Sequence, residues 1–288
     1  MTRIVGVHGI RQSKTSKSRL TAEWCKAINR GLGALGQPVI PTTALELPHW
    51  TSLLARGADR LGPEDDPFDA AVPLSESEAE FVVGALEEVV HQEDLARVQE
   101  LPLQTLGPPQ LWPARLTRLV MAYDRRFPRG GGKLFVSAMR EVRFYLYEPD
   151  LAAQVRALVA EAFGENTSVV VGHSLGSVIA YDLLRRGQIP PDRVSGVRTF
   201  VTCGSPLGIA SVRRGLNIAD GEPLKLPGDI EWVNVFDPGD VITGGRGLSD
   251  VSPGTTDAEV ANGIGDSHSV LRYLRTTPVA RAIVVDGR

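Results

Sequence analysis

The segment that most restricts how this chain can fold is the run Val169-Val170-Val171, followed by Gly172-His173-Ser174-Leu175-Gly176 and then by apolar residues at Val178, Ile179, Tyr181 and Leu183. A β-branched run that stops at a glycine-flanked serine and resumes with helical spacing predicts strand, sharp turn, helix. Glycine on either side lets helix and strand approach closely. It also lets the serine take a strained backbone with its hydroxyl above the sheet. The same letters in another setting would be an ordinary glycine-rich turn. The strand before and the helix after are what make Ser174 a candidate nucleophile.

The remaining apolar runs supply the partners such a strand needs. Residues 4–7 form a short β-branched run ending in His8-Gly9-Ile10, and a helix with Trp24, Ala27, Ile28 and Leu32 on one face follows. Further strands are expected at residues 38–47, 167–172, 198–203 and 231–236. Short apolar strands of this kind suit a mostly parallel central sheet flanked by helices, an α/β fold. With 288 residues the chain can bury a large core without disulfides or metal.

Roughly 120 residues separate the second and third strands, several times what a crossover requires. Leu151, Val155, Leu158, Val159 and Ala162 lie at helical spacing behind Asp150, a candidate N-cap, and provide the crossover itself. The core is therefore read as residues 1–47 and 148–288, and residues 48–147 as a mainly helical insertion that caps the candidate serine. Within it, Ser75-Glu76-Ser77-Glu78 reads as a capping box that opens a helix to about residue 99. Pro113 at a first-turn position opens another, with Leu116, Leu119, Val120, Tyr123 and Phe127 on one face. A third is expected over residues 133–147. Charge divides the insertion: residues 59–100 hold thirteen acids and two bases, residues 101–147 eight bases and two acids. Either the halves pair with each other or solvate separate surfaces, or the arginine-rich half meets a phosphate-bearing substrate or an acidic protein partner.

Several function classes are disfavoured. A net charge of −3 gives no basic field to hold nucleic acid. No apolar run approaches the ~20 residues of a membrane span, and residues 1–7 enter a strand directly, so no transmembrane segment and a cytoplasmic location are expected. Cys25 and Cys203 are too few and too far apart for a disulfide framework or a zinc site, and are read as buried and reduced. Gly31-Leu32-Gly33-Ala34-Leu35-Gly36 spells a dinucleotide fingerprint. It follows a helix and precedes a strand, the reverse of what pyrophosphate binding needs, so it is read as a helix end and turn. Arg129-Gly130-Gly131-Gly132-Lys133 fails as a phosphate loop because Leu134 and Phe127 occupy required positions. No cofactor and no metal are implied.

A serine hydroxyl needs an adjacent base, most often histidine. Of five histidines, His8 lies in the turn after the first strand, His173 is read as pointing away from its neighbour, and His49 and His91 precede the serine, against the chain order serine, acid, histidine. His268, in the loop Gly265-Asp266-Ser267-His268-Ser269, remains. Two acids follow the strand at residues 231–236. Asp237 could simply hold the turn beyond Pro238, whereas Asp240 lies one turn further along, where a loop can carry it over the sheet. Asp240 is the favoured acid and Asp237 the alternative. The backbone N–H of Leu175 and that of Ile10 are the expected oxyanion donors.

These residues together resemble the α/β-hydrolase superfamily, and within it lipase-like serine hydrolases that pair an HG-x strand end with GHSLG. The string Ser174 to Asp182 and the later Gly204-Ser205-Pro206-Leu207-Gly208 are similar to bacterial members and, more distantly, to lipases and GPI inositol-deacylase-like proteins. In such lipases the triad acid is an Asp followed by two apolar residues, which matches Asp240-Val241-Ile242. The resemblance covers residues 1–47 and 148–288, and implies a serine hydrolase working through an acyl-enzyme on a small acyl substrate, a carboxylester first. A thioesterase, an amidase or peptidase, and an acyltransferase would use the same triad, and a non-catalytic binding or signalling module would keep only the fold. The chain departs from the pattern at one point: no clear strand is visible between Asp240 and His268, where the superfamily has its last one.

Overall fold

A computed structural model describes residues 3–9, 15–51, 53, 68–70, 72–100, 112–128, 130–194, 196–263 and 265–284. Among the described residues six strands form one sheet: β1 (Arg3–Val7), β2 (Leu45–Glu46), β3 (Thr167–His173), β4 (Thr199–Cys203), β5 (Glu231–Phe236) and β6 (Thr255–Glu259), in the spatial order β2-β1-β3-β4-β5-β6. Every pairing is parallel. The central strands are buried on both faces, as a parallel sheet between helices requires. Along β3, Val169 and Val171 join one apolar cluster and Val170 the other, so the pleat feeds two separate cores.

One face carries α1 (Lys17–Ala34), which packs through Leu20, Trp24, Ile28 and Leu32 against β1, β3 and the two C-terminal helices. The other carries α2 (Glu76–Val89), α3 (Gln92–Gln99), α4 (Ala114–Tyr123), α5 (Gly131–Tyr147), α6 (Pro149–Glu161), α7 (Leu175–Arg185) and, after the short α8 (Pro191–Val194) in the chain, α9 (Ala210–Gly215). Helices α10 (Val270–Leu274) and α11 (Thr277–Val284) close the chain on the α1 side.

The two edges of the sheet depart from expectation. β2 is only two residues long, because Pro38 and Pro41 withhold amide donors from the run that precedes it. β6 is a strand that alternation did not reveal. Its sequence Thr255-Thr256-Asp257-Ala258-Glu259 is polar because it lies at the edge, and Asp257 anchors it by accepting Asn234 Nδ2–H (2.7 Å) and the Leu248 (2.9 Å) and Ser249 (2.8 Å) amides. Two helix boundaries also shift. The capping box at Ser75 is present, but the helix it opens ends at Val89 and the chain restarts as α3, with the C-cap residue Val90 taken into the core. α6 is capped at Glu148 with Pro149 as its first residue, leaving Asp150 in the first turn, where a carboxylate favours the positive end of the helix dipole. Pro113 stands at the N-cap position of α4, one place before the first turn.

The described residues of 48–147 hold four helices, α2 to α5, and share their core with the sheet: Phe81, Leu86, Leu119, Phe135 and Met139 lie in the same apolar cluster as Val5, Val170 and Val178. Arginines of the basic half meet acids of the acidic half. Arg115 Nε lies 2.8 Å from Glu87, Arg125 and Arg126 3.4 and 3.3 Å from Asp94, and the buried Arg140 3.1 Å from Glu78. Opposite charges thus face each other across helix contacts inside the insertion. Exposed pairs of this kind add little stability each.

Helix α7 can lie on β1 only because its second residue has no side chain. A Cβ at Gly176 would sit 2.1 Å from the Val7 carbonyl oxygen and 2.4 Å from that of His8, both immovable backbone. Gly33, by contrast, is in α1 with nothing within 4 Å of a Cβ. Gly176→Ala is therefore expected to cost at least ~1–3 kcal/mol of stability or to prevent folding. Gly33→Ala should stabilise by ~0.5–1 kcal/mol. Opposite shifts of the urea midpoint check the pair.

Candidate active site

A parallel sheet leaves a crevice where successive connections leave in opposite directions, and ligands bind there, beyond the C-terminal strand ends. In this sheet that switch point lies between β1 and β3, since the chain passes from β1 outward to β2 and later returns to β3. Ser174 sits at the tip of β3. Its φ of 53° and ψ of −131° lie in a region that costs a non-glycine residue of order 1–3 kcal/mol. The turn is held by Ser174 N–H donating to the Cys203 carbonyl (3.1 Å) and by Ser177, whose amide (2.9 Å) and hydroxyl (2.5 Å) donate to the Ser174 carbonyl. Gly9, at the end of β1, packs so closely that a Cβ there would stand 2.9 Å from Ser174 Cβ. Leu175 opens α7, so its amide is one of the N-terminal donors without an intrahelical acceptor. Ile10, the other expected oxyanion donor, lies outside the described residues.

His268 and Asp240 reach the same place from two loops. His268 Nδ1 lies 2.9 and 2.8 Å from the two Asp240 carboxylate oxygens. Asp240 is fully buried. Burial alone would raise its pKa, but His268, the Tyr273 hydroxyl and the Ile242 amide together outweigh that and bring it below the ordinary carboxylate value. An ionised Asp240 accepts from Nδ1–H, which leaves the lone pair of neutral His268 on Nε2. That nitrogen is buried and has no hydrogen-bond partner among the described residues. Gly204, at φ 56°, permits the approach: a Cβ there would be 2.8 Å from Asp240 Oδ2 and 3.0 Å from His268 Nδ1.

Asp237 does different work. Its Oδ1 accepts the Gly239 amide at 2.7 Å and its Oδ2 the Asn262 amide, so it ties the loop after β5 to the loop that carries His268. Asn262 Nδ2–H donates to the Ser267 carbonyl (2.9 Å) and Ser267 Oγ–H to the Gly239 carbonyl (2.7 Å), completing the tie. The insertion reaches the same loop: Tyr123 of α4 donates its hydroxyl to the Val241 carbonyl at 2.6 Å.

Sequence reasoning overlooked the contacts of two residues. His173 packs against the loop that carries His268. Its Nε2 is 2.9 Å from the His268 carbonyl oxygen, which can only accept, so Nε2 carries the proton, and the two rings stand 4.7 Å apart. Tyr273 of α10 donates its hydroxyl to Asp240 Oδ2 (2.6 Å) and accepts the Asp237 amide (3.0 Å). A tyrosine on an apolar helix face reads as core, and only the distance to Asp240 reveals the contact. Among the described residues no group of three or more His, Cys, Asp or Glu is placed to hold a metal ion, and no helix is long and apolar enough to cross a membrane. No protein-family model, curated protein or solved structure matches this chain.

Burial keeps two histidines here neutral. It lowers His173, helped by neighbouring His268, to about 3, and His8, stacked on Trp50 at 5.3 Å, to about 4. An unfolded histidine takes up its proton near pH 6.5. Between that pH and the folded values the unfolded chain binds more protons, so stability falls as pH is lowered through this window. Urea midpoints should drop steadily from pH 7.5 to 4.5, and His173→Asn should reduce the slope. An unchanged slope in that variant would show that His173 is not held neutral.

Proposed function

We propose that the chain is a serine hydrolase that acts through an acyl-enzyme at Ser174, with a carboxylester as the first substrate class. The observation that carries the reading is the orientation of His268: Nδ1 is committed to a buried carboxylate, Nε2 makes no hydrogen bond among the described residues, and the ring stands 4.7 Å from that of His173, the residue before a serine held in a strained turn at the switch point of the sheet.

In this reading Ser174 Oγ attacks the acyl carbonyl carbon and its proton passes to His268 Nε2. The imidazolium so formed is stabilised by Asp240. The carbonyl oxygen becomes an oxyanion that the Leu175 N–H, and in the sequence reading the Ile10 N–H, would bind, each donor contributing ~3 kcal/mol in the transition state. The bond to the leaving oxygen then breaks, and that oxygen takes the proton from Nε2. Water repeats the sequence: it gives its proton to Nε2, attacks the acyl carbon, and releases the acid as Ser174 recovers its proton. Thioester, amide and acyl-transfer chemistry would use the same groups, so substrate class is decided by assay, not by the triad.

A fluorophosphonate probe should label the wild type at Ser174 and fail to label Ser174→Ala, with loss of ester turnover by up to ~10⁶. Unlabelled wild type, or labelling that persists in Ser174→Ala, would sink the reading. Asp240→Asn should lower kcat/KM by up to ~10⁴, because the amide no longer fixes the Nδ1–H tautomer. Asp237→Asn should lower the unfolding midpoint far more than the rate. The reverse ranking would reassign the acid.

A further inference from the structure

The carboxylate of Asp240 is shared. Besides His268 Nδ1 it accepts the Ile242 amide at 2.8 Å on Oδ1 and the Tyr273 hydroxyl at 2.6 Å on Oδ2. The Tyr273 oxygen is in turn the acceptor of the Asp237 amide at 3.0 Å. A phenol that accepts from a backbone N–H has its own proton directed elsewhere, here onto the carboxylate, and Tyr273 is fully buried. Charge that the carboxylate gives to the phenol is not available to the imidazolium on the other side.

We propose that Tyr273 is a positioning residue that acts through Asp240: it fixes the carboxylate against His268 and limits how strongly His268 holds a proton. Because the proposal concerns a proton equilibrium, it stands on the distances above; its consequence for turnover rests on the hydrolase reading.

Few other groups face this pair. On the elbow, the His173 ring lies 4.7 Å from that of His268 and 6.2 Å from that of Tyr273, and is buried and neutral. On β4 the Cys203 thiol is buried, its pKa pushed up by burial, so it carries no charge near neutral pH. On the loop after β5, Asp237 directs both oxygens to backbone amides. On α4 the buried Tyr123 hydroxyl is bonded to the Val241 carbonyl. On α10 itself, Arg272 is paired with Asp266 at 3.1 Å and also donates to the Asn262 carbonyl. Tyr273 is thus the one side-chain donor on Asp240, apart from His268, among the described residues.

The test follows the titration of the His268 imidazole by NMR in the intact protein, with the signal assigned by its loss in His268→Gln. Tyr273→Phe removes the donor, returns charge to the carboxylate and should move the titration to higher pH by at least ~0.5 unit, a fraction of the roughly one to two units that a whole charge-assisted hydrogen bond represents. Site-specific 3-fluorotyrosine at position 273 keeps the shape and makes the phenol a stronger donor, so it should move the titration the other way. This arm remains informative if Tyr273→Phe fails to fold. The acid limb of kcat/KM for an ester should follow the imidazole in each case, with kcat falling about tenfold in Tyr273→Phe and KM unchanged. A His268 titration unmoved by the fluorotyrosine, or moved in the same direction by both changes, overturns the proposal. If the wild type turns over no ester and takes no phosphonate, the hydrolase reading fails, while the two titrations still decide the role of Tyr273.

Discussion

The contact on which the rest of the structure depends is the approach of α7 to the tips of β1 and β3. Gly176 lies against the Val7 and His8 carbonyls, and a Cβ at Gly172 would stand 2.6 Å from Ser177 Cα. Two positions without side chains therefore let a helix start directly over the sheet. That start forces the left-handed turn at Ser174, and the turn costs free energy that Ser177 and the Cys203 carbonyl offset through the hydrogen bonds they make to the serine backbone. The position of Gly9, just past β1, follows as well, since it abuts Ser174 with no room for a side chain.

The second organising constraint is the charge on Asp240. A carboxylate with no solvent exposure would ordinarily protonate, because desolvation disfavours the ion. It stays ionised because His268, Tyr273 and the Ile242 amide all present hydrogens to it. Each of those groups belongs to a different element, so ionisation of one carboxylate requires that the loop after β5, the loop before α10 and α10 itself be assembled together. Asp237 supplies part of that assembly from the opposite side, by joining the same loops through amides alone. The two acids are three residues apart, yet one is a structural tie and the other is the partner of the imidazole.

The insertion is integrated by burial more than by charge. Its opposite-charge halves face each other, as at Arg140 and Glu78, but the apolar faces of α2, α4 and α5 merge with the cluster on the sheet. Through Tyr123 and the Val241 carbonyl it touches the loop that holds Asp240. Loss of that one buried hydrogen bond would leave the Val241 carbonyl without this donor.

Much of this was legible in the residues. Strand, turn and helix around Ser174 could be read because glycine placement and β-branched runs are local signals, and the α/β class with its parallel sheet followed from short apolar strands far apart in sequence. The pairing of His268 with an acid after β5 could be anticipated from chain order, and His268 does lie against Asp240. β6 was not legible, since an edge strand buries little and needs no apolar alternation; its identity comes from pairing with β5. The roles of Tyr273 and His173 were equally hidden. A tyrosine on a helix and a histidine beside a serine have many uses, and what selects one is which group from a remote loop arrives within hydrogen-bond distance. Local periodicity and turn chemistry determined the elements, and chain order the pairing of His268 with an acid; only tertiary structure decided the further polar contacts of that pair, because they depend on packing between segments remote in sequence.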